Sequence, residues 1–198
     1  MATILMIWHY LHTITAAVLI TLPFQVNGSQ CNEQTWNTNL KLQRQLGASY
    51  NFHASRFNQL LKVHQYQPFL FKEFSNEEIR SLWSTNNTTY HQRMDAQIHA
   101  SLMVVEQIDQ ERQTVTPLMT EAAKLQDNWL TISRHCQTGD NKINMITSLD
   151  YAQLNQALIR DIALLLSQLN TLKARYIQEV EALENSRPKP LEENPNQN

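Results

Sequence analysis

Residues 148–183 read SLDYAQLNQALIRDIALLLSQLNTLKARYIQEVEAL. Tyr151, Leu154, Leu158, Ile162, Leu165, Leu169, Leu172, Tyr176, Val180 and Leu183 recur at steps of three and four, the period of one helix face. No glycine or proline interrupts the stretch, and Ser148 stands where an N-cap belongs. A helix this long holds its shape only when that stripe is buried against others. The rest of the chain must therefore supply helical partners.

The same period recurs upstream. Leu118, Ala122, Leu125, Trp129, Ile132 and Cys136 form a stripe on a helix expected over 116–136, opened by Thr116-Pro117 as cap and first helical residue. Met94, Ile98, Ser101/Leu102, Val105 and Ile108 form another over 90–112. Leu42, Leu46, Ser49/Tyr50, His53, Phe57, Leu60/Leu61 and His64 form a third over 36–66, stopped by Pro68. In chain order these are helices A, B, C and D. Between A and B, Ser75 and Glu78 make a capping box for one short helix with Ile79, Leu82 and Trp83.

The connections are expected to be long, short and long: 67–88, the few residues before Thr116, and 137–147. Eleven extended residues reach about 35–40 Å, and a 22-residue helix is about 33 Å long, so both long links can run the length of a bundle. That pattern favours an all-α, four-helix, up-up-down-down bundle of the long-chain cytokine arrangement, with up-down-up-down as the other layout.

Composition narrows the function. Of 198 residues, 18 are acidic and 16 basic, for a net charge of -2, with no Lys/Arg cluster to follow a phosphate backbone; no nucleic-acid partner is expected. Glycine occurs only at 28, 47 and 139, too few and too scattered for a phosphate-cradling loop or a nucleophile elbow. The 20 Gln and 18 Asn lie mostly within helical patterns, where they read as a solvated face. His53 and His64 lie on helix A and His91 and His99 on helix B, none with the i+3 or i+4 partner of a helical metal site. No catalytic residue, cofactor site or metal site is expected, and the protein is expected not to be an enzyme.

Residues 1–28 carry no Asp, Glu, Lys or Arg and hold the apolar run ITAAVLITL at 14–22. With Val26-Asn27-Gly28 following, they read as a signal peptide cleaved after Gly28; the other reading is a membrane anchor, for which the run is short. The mature chain is expected to be secreted and not membrane-inserted, with a bundle over 29–185 and a disordered, proline-containing tail over 186–198. Asn86-Asn87-Thr88-Thr89 contains overlapping glycosylation sequons at Asn86 and Asn87. Two cysteines remain, Cys31 and Cys136; in an exported chain they are expected to form one disulfide rather than stay as two buried thiols. Phe69, Phe71, Phe74 and Trp83 in the A–B connection either cover the core or form a partner-binding patch.

Three features together resemble the interleukin-6 family of cytokines, in the leukaemia inhibitory factor, oncostatin and ciliary neurotrophic factor branch. A cysteine precedes helix A, with Trp36 five residues on; helix A closes on LLKVHQYQPF at 60–69; a second cysteine closes helix C. Gln65, Pro68 and Phe69 match the branch's Gln-Gly-x-Pro-Phe ending, with Tyr66 in place of its glycine. The start of helix D, Tyr151-Ala152-Gln153-Leu154, keeps the aromatic of the branch's Phe-x-x-Lys pair and lacks the lysine. The resemblance implies a monomeric cytokine that bridges cell-surface receptor chains of the shared signal-transducing type and triggers JAK/STAT-type signalling. It implies one contact through exposed parts of helices A and C. A second would use Phe69, Tyr151 and Leu154. The competing reading is an extracellular, non-enzymatic helical carrier or structural protein.

Overall fold

A computed structural model describes residues 30–84 and 86–188. The expected signal peptide and its cleavage point, and residues 189–198 of the expected tail, lie outside the described residues. Everything assigned among the described residues is helical: α1 (Glu33–His64), α2 (Leu70–Glu73), α3 (Asn76–Ser84), α4 (Thr88–Thr138) and α5 (Lys142–Ser186).

The expected helices B and C are one helix, α4. The apolar stripe explains why: Ile98, Ser101, Ile108, Glu111, Val115, Leu118, Ala122 and Leu125 are all buried, and the three–four spacing keeps phase straight through Pro117. Val115 and Leu118 anchor the helix on either side of the proline. Local hydroxyls serve the backbone there: Thr116 donates to the Arg112 carbonyl at 2.7 Å and Thr114 to the Glu111 carbonyl at 2.7 Å. The proline's lost hydrogen bond is outweighed by burial on both flanks, so the expected short B–C turn does not form.

The expected C–D crossover is a tight turn instead. Gly139, Asp140 and Asn141 join α4 to α5. Asp140 takes a left-handed φ of 53°. Its N–H donates to the Gln137 carbonyl at 3.2 Å, and the Asn141 N–H donates to the Cys136 carbonyl at 2.9 Å, the paired bonds of a Schellman motif. Asn141 then caps α5, its side-chain oxygen accepting from the Asn144 N–H at 3.1 Å. Ser148, expected to be that cap, lies inside the helix and donates to the Asn144 carbonyl at 2.6 Å.

So α4 and α5 form a long antiparallel hairpin. The polar bonds across helices give the direction of α1. Asn39 meets Asn128, and His53 meets Glu111, so α1 runs antiparallel to α4. Gln43 meets Asn155, and His64 meets Tyr176, so α1 runs parallel to α5. Residues 67–84 do not travel the length of the bundle. They fold as α2 and α3 across its open end, where Ile79 and Trp83 pack with Met94, Ile98, Val180 and Leu183. The layout of the described residues is up-down-up in three long helices, in place of the expected four-helix up-up-down-down arrangement.

The larger core lies where α1, α4 and α5 meet, around Phe57, Ile108, Trp129, Ile162 and Leu169. Beside it Cys31 and Cys136 are bonded, as expected, tying the start of α1 to the last turn of α4. At the open end Ser186 is buried inside α5 and Arg187 lies 4.4 Å over the Trp83 ring and pairs with Asp95, so the ordered chain runs past the expected boundary at 185.

Candidate interaction surface

The capping box predicted at Ser75 forms: the Ser75 N–H donates to Glu78 Oε2 at 2.7 Å and the Glu78 N–H donates to Ser75 Oγ at 3.2 Å. Hydrogen bonds to the Glu78 carboxyl, from the Ser75 N–H first and from the Ser75 hydroxyl second, hold it below its ordinary pKa. The box fixes the chain leaving α2, whose N-cap, Phe69, is the first of the expected contact residues.

Phe69 is 4 % exposed. Its ring sits 5.0 Å from Tyr176 and 5.6 Å from Phe71. The segment is held by a fully buried carboxylate: Glu179 accepts from the Leu70 and Phe71 N–H groups at 3.0 and 3.1 Å, and from Gln97 Nε2 at 3.0 Å. A buried charge is tolerable when such donors surround it, and here they pin α2 to α5. Of the two readings of the A–B aromatics, the core reading holds for Phe69 and Trp83, while Phe74 remains exposed.

Tyr151 is half-buried, stacked on Trp129 at 4.5 Å with Trp36 edge-on to both rings. Trp129 Nε1 and Asn155 Nδ2 both donate to Gln43 Oε1, at 3.2 and 2.6 Å. Tyr151 thus helps to close the disulfide end of the core. It stands 25 residues from Tyr176, the partner of Phe69, or about 37 Å along α5. Phe69 and Tyr151 therefore do not share one surface.

Leu154 is the exposed member of the set, at 57 %. Ala152 and Asn155 are buried in its stead, because α1 and α4 both pack on α5 here and turn the inward face away from Leu154. Leu154 lies with Ile143, Ile146 and Leu164 within an arc of about 80° that runs about 30 Å along the helix. All four are exposed, Ile143 by 79 %. Asp150 and Asp161 fall in the same arc. Helical phase in the sequence carried this second face, but Ile143 and Ile146 sit in a stretch that its Gly-Asp-Asn start marks as loop. A separate cleft of about 320 Å³ runs between α1 and the second half of α4, lined by Leu42, Gln45 and Ser49 on one side and Glu121, Lys124 and Asn128 on the other.

The histidines of α1 cross-link helices. His53 Nδ1 lies 2.6 Å from Glu111 Oε1, and Arg56 Nε lies 3.3 Å from Glu111 Oε2. His64 Nδ1 bonds to the Tyr176 hydroxyl. Burial lowers the His64 pKa, so the neutral ring is favoured, and burial raises the Tyr176 pKa. Asp109 accepts from Lys173 Nζ at 2.6 Å, which is the main cause of its lowered pKa, with Arg112 adding a second bond. Among the described residues no group of three His, Cys, Asp or Glu could hold a metal ion, and no helix is long and apolar enough to cross a membrane.

Asn87 caps α4, its side-chain oxygen accepting from the Thr89 N–H at 3.0 Å, and Asn86 is exposed just before it. The chain matches no protein-family model, no curated protein and no solved structure.

Proposed function

We propose that this chain is a secreted, non-catalytic signalling ligand that holds two cell-surface receptor chains on separate faces. The observation that carries the reading is the exposed apolar row of Ile143, Ile146, Leu154 and Leu164. Apolar rows rimmed by charge mark protein–protein surfaces, and a row on a long rigid helix presents itself without an ordering cost. The second face is the cleft between α1 and α4, around Leu42 and Lys124. This keeps the assignment of one contact to helices A and C, and of Leu154 to the other. Phe69 and Tyr151 leave the contact set and serve packing. The mode of action is taken from the interleukin-6 resemblance; the four-helix layout is not, because α1 runs parallel to α5.

Export through the signal peptide, glycosylation at Asn86 or Asn87, and JAK/STAT-type signalling belong to the same proposal. The test is to add the purified protein to leukocytes and neural cells and to follow STAT phosphorylation over minutes. A dose-dependent rise is expected, lost in Leu154→Asp and Ile146→Asp at unchanged circular dichroism. A silent response in every cell type, or full activity in both variants, overturns it.

A further inference from the structure

A cleft of about 460 Å³ opens at the other end of the molecule, between the α1–α3 connection and the first turns of α4. Its walls come from Pro68, Leu70, Phe74 and Leu82, and the buried Met94 lines it from α4. The volume falls within the ordinary range of small-molecule sites, about 300–1,000 Å³.

Four observations define what fits. The lining is mainly apolar, so most of the ligand must be apolar. Arg93 also lines it, and no acidic residue does. Among the described residues Arg93 makes no ion pair, although Asp95, two positions on, is engaged by Arg187. Gln97 lines the cleft as well, its amide nitrogen fixed on Glu179, so the wall beside Arg93 is held in place. An apolar cleft with one uncompensated guanidinium at its edge selects a ligand with an apolar body and a single negative head. A cationic amphiphile is repelled there, and a neutral one leaves the guanidinium unused.

We propose that this cleft binds a free single-chain anionic amphiphile of the fatty-acid class, with the tail along Pro68, Leu70, Leu82 and Met94 and the carboxylate on Arg93. The site is remote from the Leu154 row and stands or falls independently of receptor binding.

The full chain, purified and stripped of lipid, is titrated by calorimetry with dodecanoate, dodecanol and dodecyltrimethylammonium. Saturable dodecanoate binding at one site is expected, stronger than dodecanol and far stronger than the cation. Arg93→Gln, a change at an exposed position, is expected to weaken dodecanoate about tenfold and leave dodecanol unchanged. Phe74→Ser is expected to weaken both, and circular dichroism checks that each variant is folded. Absence of saturable dodecanoate binding overturns the proposal. So does unchanged dodecanoate affinity in Arg93→Gln. Binding to phosphatidylglycerol vesicles with none to monomeric dodecanoate also overturns it, in favour of a membrane-surface role.

Discussion

Gly47 sits in the middle of α1 at an ordinary negative φ, and a Cβ placed there would meet nothing within 4 Å. Its only effect on folding is the extra backbone freedom it gives the unfolded chain. Gly47→Ala is therefore expected to stabilise the protein by about 0.5–1 kcal/mol, read as a higher urea midpoint at unchanged slope. A loss of stability would mean that α1 packs more closely than its open flank indicates. His64 acts through protonation. Its folded pKa lies below the ordinary 6.5, so between the two values the unfolded chain holds a proton that the folded chain does not. The stabilisation is present in full above 6.5 and is lost as the pH falls toward and through the lowered value. Urea midpoints at pH 7.5 and pH 5 are expected to show that loss, and His64→Gln to reduce the difference between them. Asp109 adds a separate acid limb: held below its ordinary 3.8 chiefly by Lys173, it contributes above that value and is lost on further acidification.

At the scale of the element, Pro117 is the decisive position. If it began a separate helix, its missing N–H would cost nothing there. Inside α4 it removes one backbone bond and crowds the preceding turn. Pro117→Ala is accordingly expected to stabilise the protein by about 2–3 kcal/mol, measured by chemical denaturation. A neutral or destabilising result would restore the two-helix reading of 88–138. The sequence carried both signals. Thr116-Pro117 reads locally as a start, whereas the stripe from Met94 to Cys136 reads as one continuous face, and long-range burial prevailed over the local rule. The same competition decided 137–147: Gly139-Asp140-Asn141 reads as the centre of a loop, but a Schellman turn uses these residues in three positions and returns at once to helix. Helical class, the core of α5 from Ile162 onward, the capping box and the cysteine pair were legible because each rests on local spacing or on residue count. The direction of α1 and the inward turn of Phe69 were not, because they depend on cross-helix partners such as Tyr176 and Glu179, more than a hundred residues away along the chain.

For the whole molecule, α4 spans about 75 Å, and α1 covers the turn end of the hairpin over about 48 Å of its length. The two short helices close the other end. Among the described residues each connection between long helices joins neighbours at the same end, without an overhand crossing. What it lacks is a short tether for α1 at the turn end, since α1 reaches α4 only by way of α2 and α3 at the far end. The Cys31–Cys136 bond supplies that tether, across a sequence separation of 105. In the chain-entropy view a closed loop of this length is worth about 4–5 kcal/mol, chiefly by restricting the unfolded chain. Reduction is expected to lower stability by about that amount while leaving most of the helical circular dichroism intact under native conditions, because α4 and α5 pack on each other along their length. The loss should concentrate in α1: amide exchange from Glu33 toward Tyr50 should accelerate more than exchange in the α4–α5 core around Ile108 and Leu169. Uniform acceleration across all three long helices would instead show that α1 and the hairpin unfold as one unit, with the disulfide stabilising the whole rather than fastening one helix to it.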